Sequence, residues 1–330
     1  MALIEKVNDH KMKRFLLILT ALSVVMQALS GCCLKPVIDH FHKEFLTIKE
    51  RERLAEELHT RGLTLDAEGK LKEAIDTWSK EIELSPERVR AYNNIGIAYR
   101  RLGDLDSAKE FHEKAIMTEP GFGHSYYSLG LVYYDRKDYE KARELFLEAI
   151  RRNYFNADVY YSLGQASKNL REYGKAISAY KKTIKLYYSY RGAHYQLGEC
   201  YRLKGKYDLA RLEFKREISL NFSWKRLCEI GLQEIEVDLD PNNVNKLFAL
   251  GMLYKDSGGK DHREKAVKTF SRVIDLNPIY PEAHFQLGYL CQLDGDLERA
   301  EHAYEEEIQI NPEHSKARKA LNLLRMRRRE

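Results

Sequence analysis

Proline and glycine are scarce in this chain, 7 and 19 among 330 residues, while charged residues make up 32%. So few helix breakers and so many solvated side chains suit long helices. A large excess of one charge is also missing. The formal net charge is only +5, which argues against nucleic acid as the partner, because that needs a concentrated basic footprint. The five cysteines (Cys32, Cys33, Cys200, Cys228, Cys291) show no C-x-x-C spacing, and neither H-E-x-x-H nor G-x-S-x-G occurs. Catalytic, metal-binding and cofactor-binding residues are therefore expected to be absent, and the chain reads as a non-enzyme. The scattered thiols are expected to be buried and free. Long apolar runs are missing as well. The one candidate, Phe15 to Leu29, has 15 residues, short of the ~20 that a membrane span needs.

That apolar run comes after Lys11, Lys13 and Arg14 and ends in Leu29-Ser30-Gly31-Cys32. A basic flank and a short apolar core match a secretory leader. The last four residues resemble a bacterial lipobox. The resemblance implies cleavage before Cys32, lipidation of its thiol, and a membrane-anchored protein of the bacterial cell envelope. Cys33 stands where an Asp would favour the inner membrane, so the outer membrane, facing the periplasm, is the expected address. Beyond the leader, Val37, Ile38, Phe41, Phe45 and Ile48 fall at near-helical spacing. They predict a helix over 36–50 that covers the outer end of the segment after it. Asp39, His40 and His42 sit too close in sequence to share one helix face as metal ligands.

Two combs then run through the chain. Gly62, Gly96, Gly130, Gly164 and Gly198 recur every 34 residues, and Ala74, Ala108, Ala142, Ala176 and Ala210 each stand 12 residues later. Self-similarity at this period means one array of stacked units. The stretch Tyr92-x2-Ile95-Gly96-x2-Tyr99, with Ala108, Phe111 and Pro120 beyond it, states the unit most fully. This pattern resembles the tetratricopeptide repeat (TPR), whose unit is a pair of antiparallel helices. The resemblance implies an all-α helix-turn-helix solenoid of about seven repeats. Small residues at the combs let the paired helices approach closely. The second helices carry Trp78, Phe111, Phe146, Tyr180, Phe214, Phe270 and Tyr304. Repeats three to five lack the closing proline, with Tyr154, Tyr188 and Phe222 in its place.

The comb then breaks, since Gly251 lies 53 residues after Gly198. Residues 224–238 read as a single amphipathic helix, as though one hairpin had lost its first helix and the array were divided there into two arms. Glu234, Glu236, Asp238 and Asp240 read as its solvated face. The Gly258-Gly259 loop lacks the strand and the Lys-Ser/Thr of a phosphate loop. The expected organisation is a signal peptide (1–31), a lipidated N-terminus and capping helix (32–54), repeats one to five (55–223), the odd helix (224–243), repeats six and seven (244–314) and a C-terminal capping helix (315–330).

In the resembling family the first helices line a groove. With the glycine taken as position eight, position five carries Tyr127, Tyr161, Tyr195, Phe248 and Phe285 in succession, after Asn93. Position twelve carries Arg100, Tyr134, Lys168, Arg202 and Lys255, and position nine includes Leu131. Two readings stay open for position five, a binding ladder or packing within the hairpin. As a groove these residues suit a partner protein segment of acidic and apolar character, through aromatic area and Arg or Lys pairing. The chain is thus expected to be a scaffold that binds envelope proteins through peptide segments, with the membrane reached through its N-terminal lipid. The alternative is a self-associating, homo-oligomeric or pilotin-like lipoprotein of a secretion or pilus complex.

Overall fold

The computed structural model describes residues 35–327, and they hold sixteen α-helices and no strand. The leader, Cys32 and Cys33 lie outside the described residues. The chain forms two compact units, one ending at Ala91 and one beginning at Tyr92.

In the first unit α1 (Lys35–Ala67) pairs with α2 (Leu71–Leu84). The sequence suggests a separate capping helix before the first repeat. Instead α1 runs unbroken through both, because after Pro36 in its first turn no Pro or Gly occurs until Gly62, which it tolerates. Gly62 is needed at that point: a Cβ there would lie 2.2 Å from the Trp78 indole nitrogen. Glu81, wholly buried, accepts from His59 Nδ1 at 3.1 Å.

The second unit contains α3 (Val89–Leu102), α4 (Leu105–Thr118), α5 (Gly123–Asp135), α6 (Tyr139–Arg151), α7 (Ala157–Asn169), α8 (Tyr173–Leu186), α9 (Ala193–Leu203) and α10 (Tyr207–Leu220). The lone helix α11 (Lys225–Leu239) is next. After it come α12 (Val244–Ser257), α13 (Lys260–Leu276), α14 (Ala283–Leu293), α15 (Leu297–Ile310) and α16 (Ser315–Arg327). The α3 helix begins just before Tyr92.

Each comb glycine faces the aromatic of its own second helix. A Cβ on Gly130, Gly164, Gly198, Gly251 or Gly288 would come within 2.6–2.8 Å of Phe146, Tyr180, Phe214, Phe270 or Tyr304. These five rings are wholly buried, each stabilising its hairpin by roughly 1.5–3 kcal/mol. Hairpin two departs from the sequence expectation. Gly96 meets His112, and Phe111 turns instead to stack on Tyr99 at 5.6 Å.

The turns inside the hairpins also have a fixed chemistry. Asp104, Asp138 and Asp296 accept from the amides of Ser107, Lys141 and Arg299, capping α4, α6 and α15. The residue before the cap, Gly103, Lys137 or Gly295, has positive φ. In hairpins five and seven a left-handed residue, Gly192 or Glu282, precedes the first helix, and a buried carboxylate on the second helix receives that helix end. Glu217 accepts from the Gly192 and Tyr195 amides at 3.0 and 3.4 Å; Glu307 accepts from those of Glu282 and Phe285 at 3.3 and 3.2 Å. A buried anion at a helix N-terminus meets both its unpaired N–H groups and its dipole.

The odd helix corrects the sequence reading twice. α11 packs on both α9 and α10, as α7 packs on α5 and α6. It therefore takes the place of a first helix, and the member missing from its hairpin is the second. Gly231, in α11, rests on the same Phe214 ring that Gly198 faces, where a Cβ would come within 2.6 Å. Nor does α11 divide the chain into arms. Cys228 and Ile235 join the core around Phe214, while Ile230 and Val237 join the core around Phe270. Its carboxylates are not a purely solvated face either, since Glu234 and Asp238 pair with Arg202, and Glu236 with Arg211.

Cys200, Cys228 and Cys291 are buried and free. Burial pushes the first two thiols up to about 12, which keeps them protonated.

Candidate protein-binding face

All the groove residues expected from the sequence lie on first helices of the second unit: α3, α5, α7, α9, α12 and α14. The position-five rings recur once per hairpin, as their spacing requires, but each one is held between two other rings. Tyr127 lies 5.7 Å from Phe146 and 5.6 Å from Tyr154. Tyr161 lies 5.6 Å from Tyr180 and 4.9 Å from Tyr190. Tyr195 lies between Phe214 and Trp224, Phe248 between Phe270 and Tyr280, and Phe285 between Tyr304 and His314. One flanking ring comes from the second helix, the other from the end of that helix or the loop behind it. Packing is thus the first task of this row, and the small exposed remainder of each ring is what a partner could touch. Burial pushes the Tyr161 hydroxyl up to about 12, so the row stays uncharged there.

Position twelve is already occupied by pairing across hairpins. Arg100 Nε donates to Asp135 at 2.6 Å. The Tyr134 hydroxyl accepts from Asn169 at 3.0 Å. Lys168 donates to Gln196 at 2.6 Å, and Lys255 to Gln286 at 2.9 Å. Arg202 reaches Glu199 at 3.4 Å and both Glu234 and Asp238 at 2.9 Å. Each of these side chains ties one first helix to a later one. Leu131, at position nine, packs into the core around Phe146.

The charge balance of this face is set by those pairs. Around Arg202 three carboxylates meet one guanidinium, and Tyr254 donates its hydroxyl to Glu234. Burial raises the Glu199 carboxyl, against the opposing pull of Arg202. The cluster around Arg202 is therefore acidic in formal charge, opposite to the cationic groove read from single positions. Sequence reasoning named Glu234 and Asp238 but could not know that they face Arg202. The signal for it was their separation of 32 and 36 residues from the arginine, close to the 35 between Arg100 and Asp135.

Hairpin two holds a polar group in place of the ring pair. His112 Nδ1 donates to Asn93 Oδ1 at 3.1 Å, and the Asn93 amide donates to His124 Nδ1 at 3.4 Å. With the Asn93 oxygen turned to His112, only this assignment of protons satisfies both contacts. Burial lowers His112 to about 3 and also lowers His124. Among the described residues no three His, Cys, Asp or Glu side chains could hold a metal ion.

Paired antiparallel helices at a 34-residue period, with a row of partly buried first-helix side chains, define a helical-repeat binding protein. Family models of the tetratricopeptide repeat match residues 48–116, 124–156, 168–220 and 281–314, together more than half of the chain. The chain belongs to the tetratricopeptide-repeat family. Three solved structures illustrate the likeness. The pilF protein of Pseudomonas aeruginosa is 18% identical, with 69% of this chain and 94% of that chain covered and a TM-score of 0.50. MamA from Desulfovibrio magneticus RS-1 is 22% identical, covering 52% and 96%, with a TM-score of 0.47. YrrB, described as a TPR protein with an unusual peptide-binding site, is 24% identical, covering 61% and 92%, with a TM-score of 0.41. At these identities the likeness is one of fold. No curated protein matches the chain.

Proposed function

We propose that this protein is a scaffold that binds segments of partner proteins along its first-helix face, and that lipid on Cys32 anchors it in a bacterial envelope membrane, the outer membrane in cells that have one. The observation that carries the binding reading is the row Tyr127, Tyr161, Tyr195, Phe248 and Phe285, one partly buried ring per hairpin on its first helix, each with its outer edge still open. Neighbouring helices stand about 8–10 Å apart, and an extended chain advances about 3.3–3.6 Å per residue. A bound segment would thus present an apolar side chain to a new ring roughly every third residue. The acidic balance around Arg202 favours neutral or basic residues at that end of the segment, while Arg100 and Lys168 tolerate acidic ones at the other.

The test is photo-crosslinking in cells with the full chain. A benzophenone amino acid at Gln165, between Tyr161 and Lys168 on α7, should capture partner proteins, and the same group at Lys141 on the exposed side of α6 should not. Equal capture from both positions would remove the groove. The anchor is tested separately with an alkynyl fatty acid: label should enter the protein and be lost in Cys32→Ser, and an unlabelled wild type would refute the anchor without touching the groove.

A further inference from the structure

We propose that the last two turns of α8 and the loop behind them dock on an anionic lipid surface, apart from any lipid on Cys32. From Tyr173 through Gly198 the chain has no Asp or Glu but carries Lys175, Lys181, Lys182, Lys185 and Arg191. The other second helices bear carboxylates in their closing turns, such as Glu83 on α2, Glu113 on α4, Glu148 on α6 and Asp275 on α13. Lys175 is held by Glu172 at 2.9 Å. Lys181, Lys182, Lys185 and Arg191 are exposed, the first two lying over the Tyr201 and Tyr160 rings at 5.8 and 6.0 Å.

Between these cations stand Leu186, Tyr187 and Tyr188, which are 52%, 57% and 57% exposed. Tyr188 occupies the place of the missing proline. Its counterpart Tyr154 is packed on His124 and Tyr127, whereas Tyr188 touches only the edge of His194, at 5.1 Å, among ring contacts of the described residues. Packing therefore explains Tyr154, whereas Tyr187 meets only the edge of Tyr190 at 6.2 Å and, like Tyr188, keeps more than half of its surface open. The preceding hairpin adds Phe155, also 57% exposed, at the same kind of helix end. The carboxylates facing this region are committed, Glu148 to Arg151 and Arg152 and Asp158 to the Tyr190 hydroxyl.

Lysines flanking exposed tyrosines and a leucine suit a membrane interface. The ammonium groups meet lipid phosphates, the long stems and rings lie at the acyl boundary, and the hydroxyls stay among headgroups. An acidic peptide would satisfy the lysines but would leave the row of apolar faces in water.

Full-length Tyr187→Trp protein tests this, with wild-type emission subtracted, against phosphatidylcholine vesicles with and without phosphatidylglycerol. Emission should shift to the blue and be quenched by acyl-brominated lipid on the anionic vesicles only. Changing Lys181, Lys182 and Lys185 together to Gln should lower that partitioning roughly a hundred-fold, with the helical circular dichroism unchanged. Unchanged emission while the protein still sediments with anionic vesicles would show that another segment makes the contact, and would overturn the proposal. So would a triple variant that binds as tightly as wild type, or an emission shift produced by poly-glutamate and not by vesicles.

Discussion

Acidification from pH 7 to pH 5 should destabilise this protein by about 2 kcal/mol through His112 alone. The side chain is wholly buried, and its Nε2 has no hydrogen-bond partner among the described residues. Protonation would place a charge there with a second N–H and nothing to receive it. The folded pKa is about 3 against an ordinary 6.5. A base with a depressed folded pKa takes up more protons when unfolded, so its contribution is complete above pH 6.5 and is lost as the pH falls toward 3. At pH 5 the unfolded imidazole is almost fully charged and the folded one is neutral, a gap of about 1.5 pH units below 6.5, or about 2 kcal/mol. His124, also lowered by burial, adds in the same direction. The assay is urea denaturation at pH 7 and pH 5 for wild type and for Asn93→Tyr/His112→Phe. That double variant installs the residues found at the same positions in hairpin three, where Tyr127 and Phe146 pack at 5.7 Å. Its loss on acidification should be about 2 kcal/mol smaller than that of wild type. Equal losses in the two proteins would refute the argument, because the buried imidazole would then not be the group that resists charging.

The same packing sets three further outcomes. Gly164→Ala should destabilise by about 1–2 kcal/mol, the cost of overpacking a rigid ring less the gain in helix propensity, since its Cβ would lie 2.6 Å from Tyr180; Gly174→Ala, with nothing nearer than Lys204 Nζ at 4.0 Å, should be neutral or stabilising by up to about 1 kcal/mol. Arg202→Met should cost about 3 kcal/mol at pH 7 by leaving three carboxylates together, and less at pH 5, because the raised Glu199 takes up its proton first; chemical denaturation at the two pH values reads both. Tyr180→Phe should raise the melting temperature through about 1 kcal/mol, since the Tyr180 hydroxyl is buried with no hydrogen-bond partner among the described residues and Phe146, Phe214 and Phe270 fill the same slot without one.

Particular residues show why some features were legible and others were not. Gly164 and Ala176 could be read because close helix approach forbids bulk, and that constraint leaves its mark at a fixed spacing. His112 was harder to read, since an imidazole at an aromatic slot breaks the pattern and the adjacent Phe111 offered a better match. The role of α11 carries no local signal, because the comb is silent between Gly198 and Gly251 and only packing on α9 and α10 shows that α11 is a first helix. Glu217 and Glu307 carry no local signal for their roles, because the amides they receive are 22–25 residues away and come into reach only when the hairpin closes.

The sequence by itself determined the helices, the hairpin period and the family, because those depend on contacts between residues 12–16 positions apart that every unit repeats. Only the tertiary structure decided which side chains are left for a partner. Arg100, Lys168, Arg202 and Lys255 read as free cations when each helix is taken alone. The next first helix brings Asp135, Gln196, Glu234 and Gln286 within 3 Å of them. That pairing depends on the stacking of hairpins, a distance of about 10 Å that no single repeat encodes. For the same reason, the rings of Tyr127 and Tyr161 serve the core first and present only their outer parts to a partner.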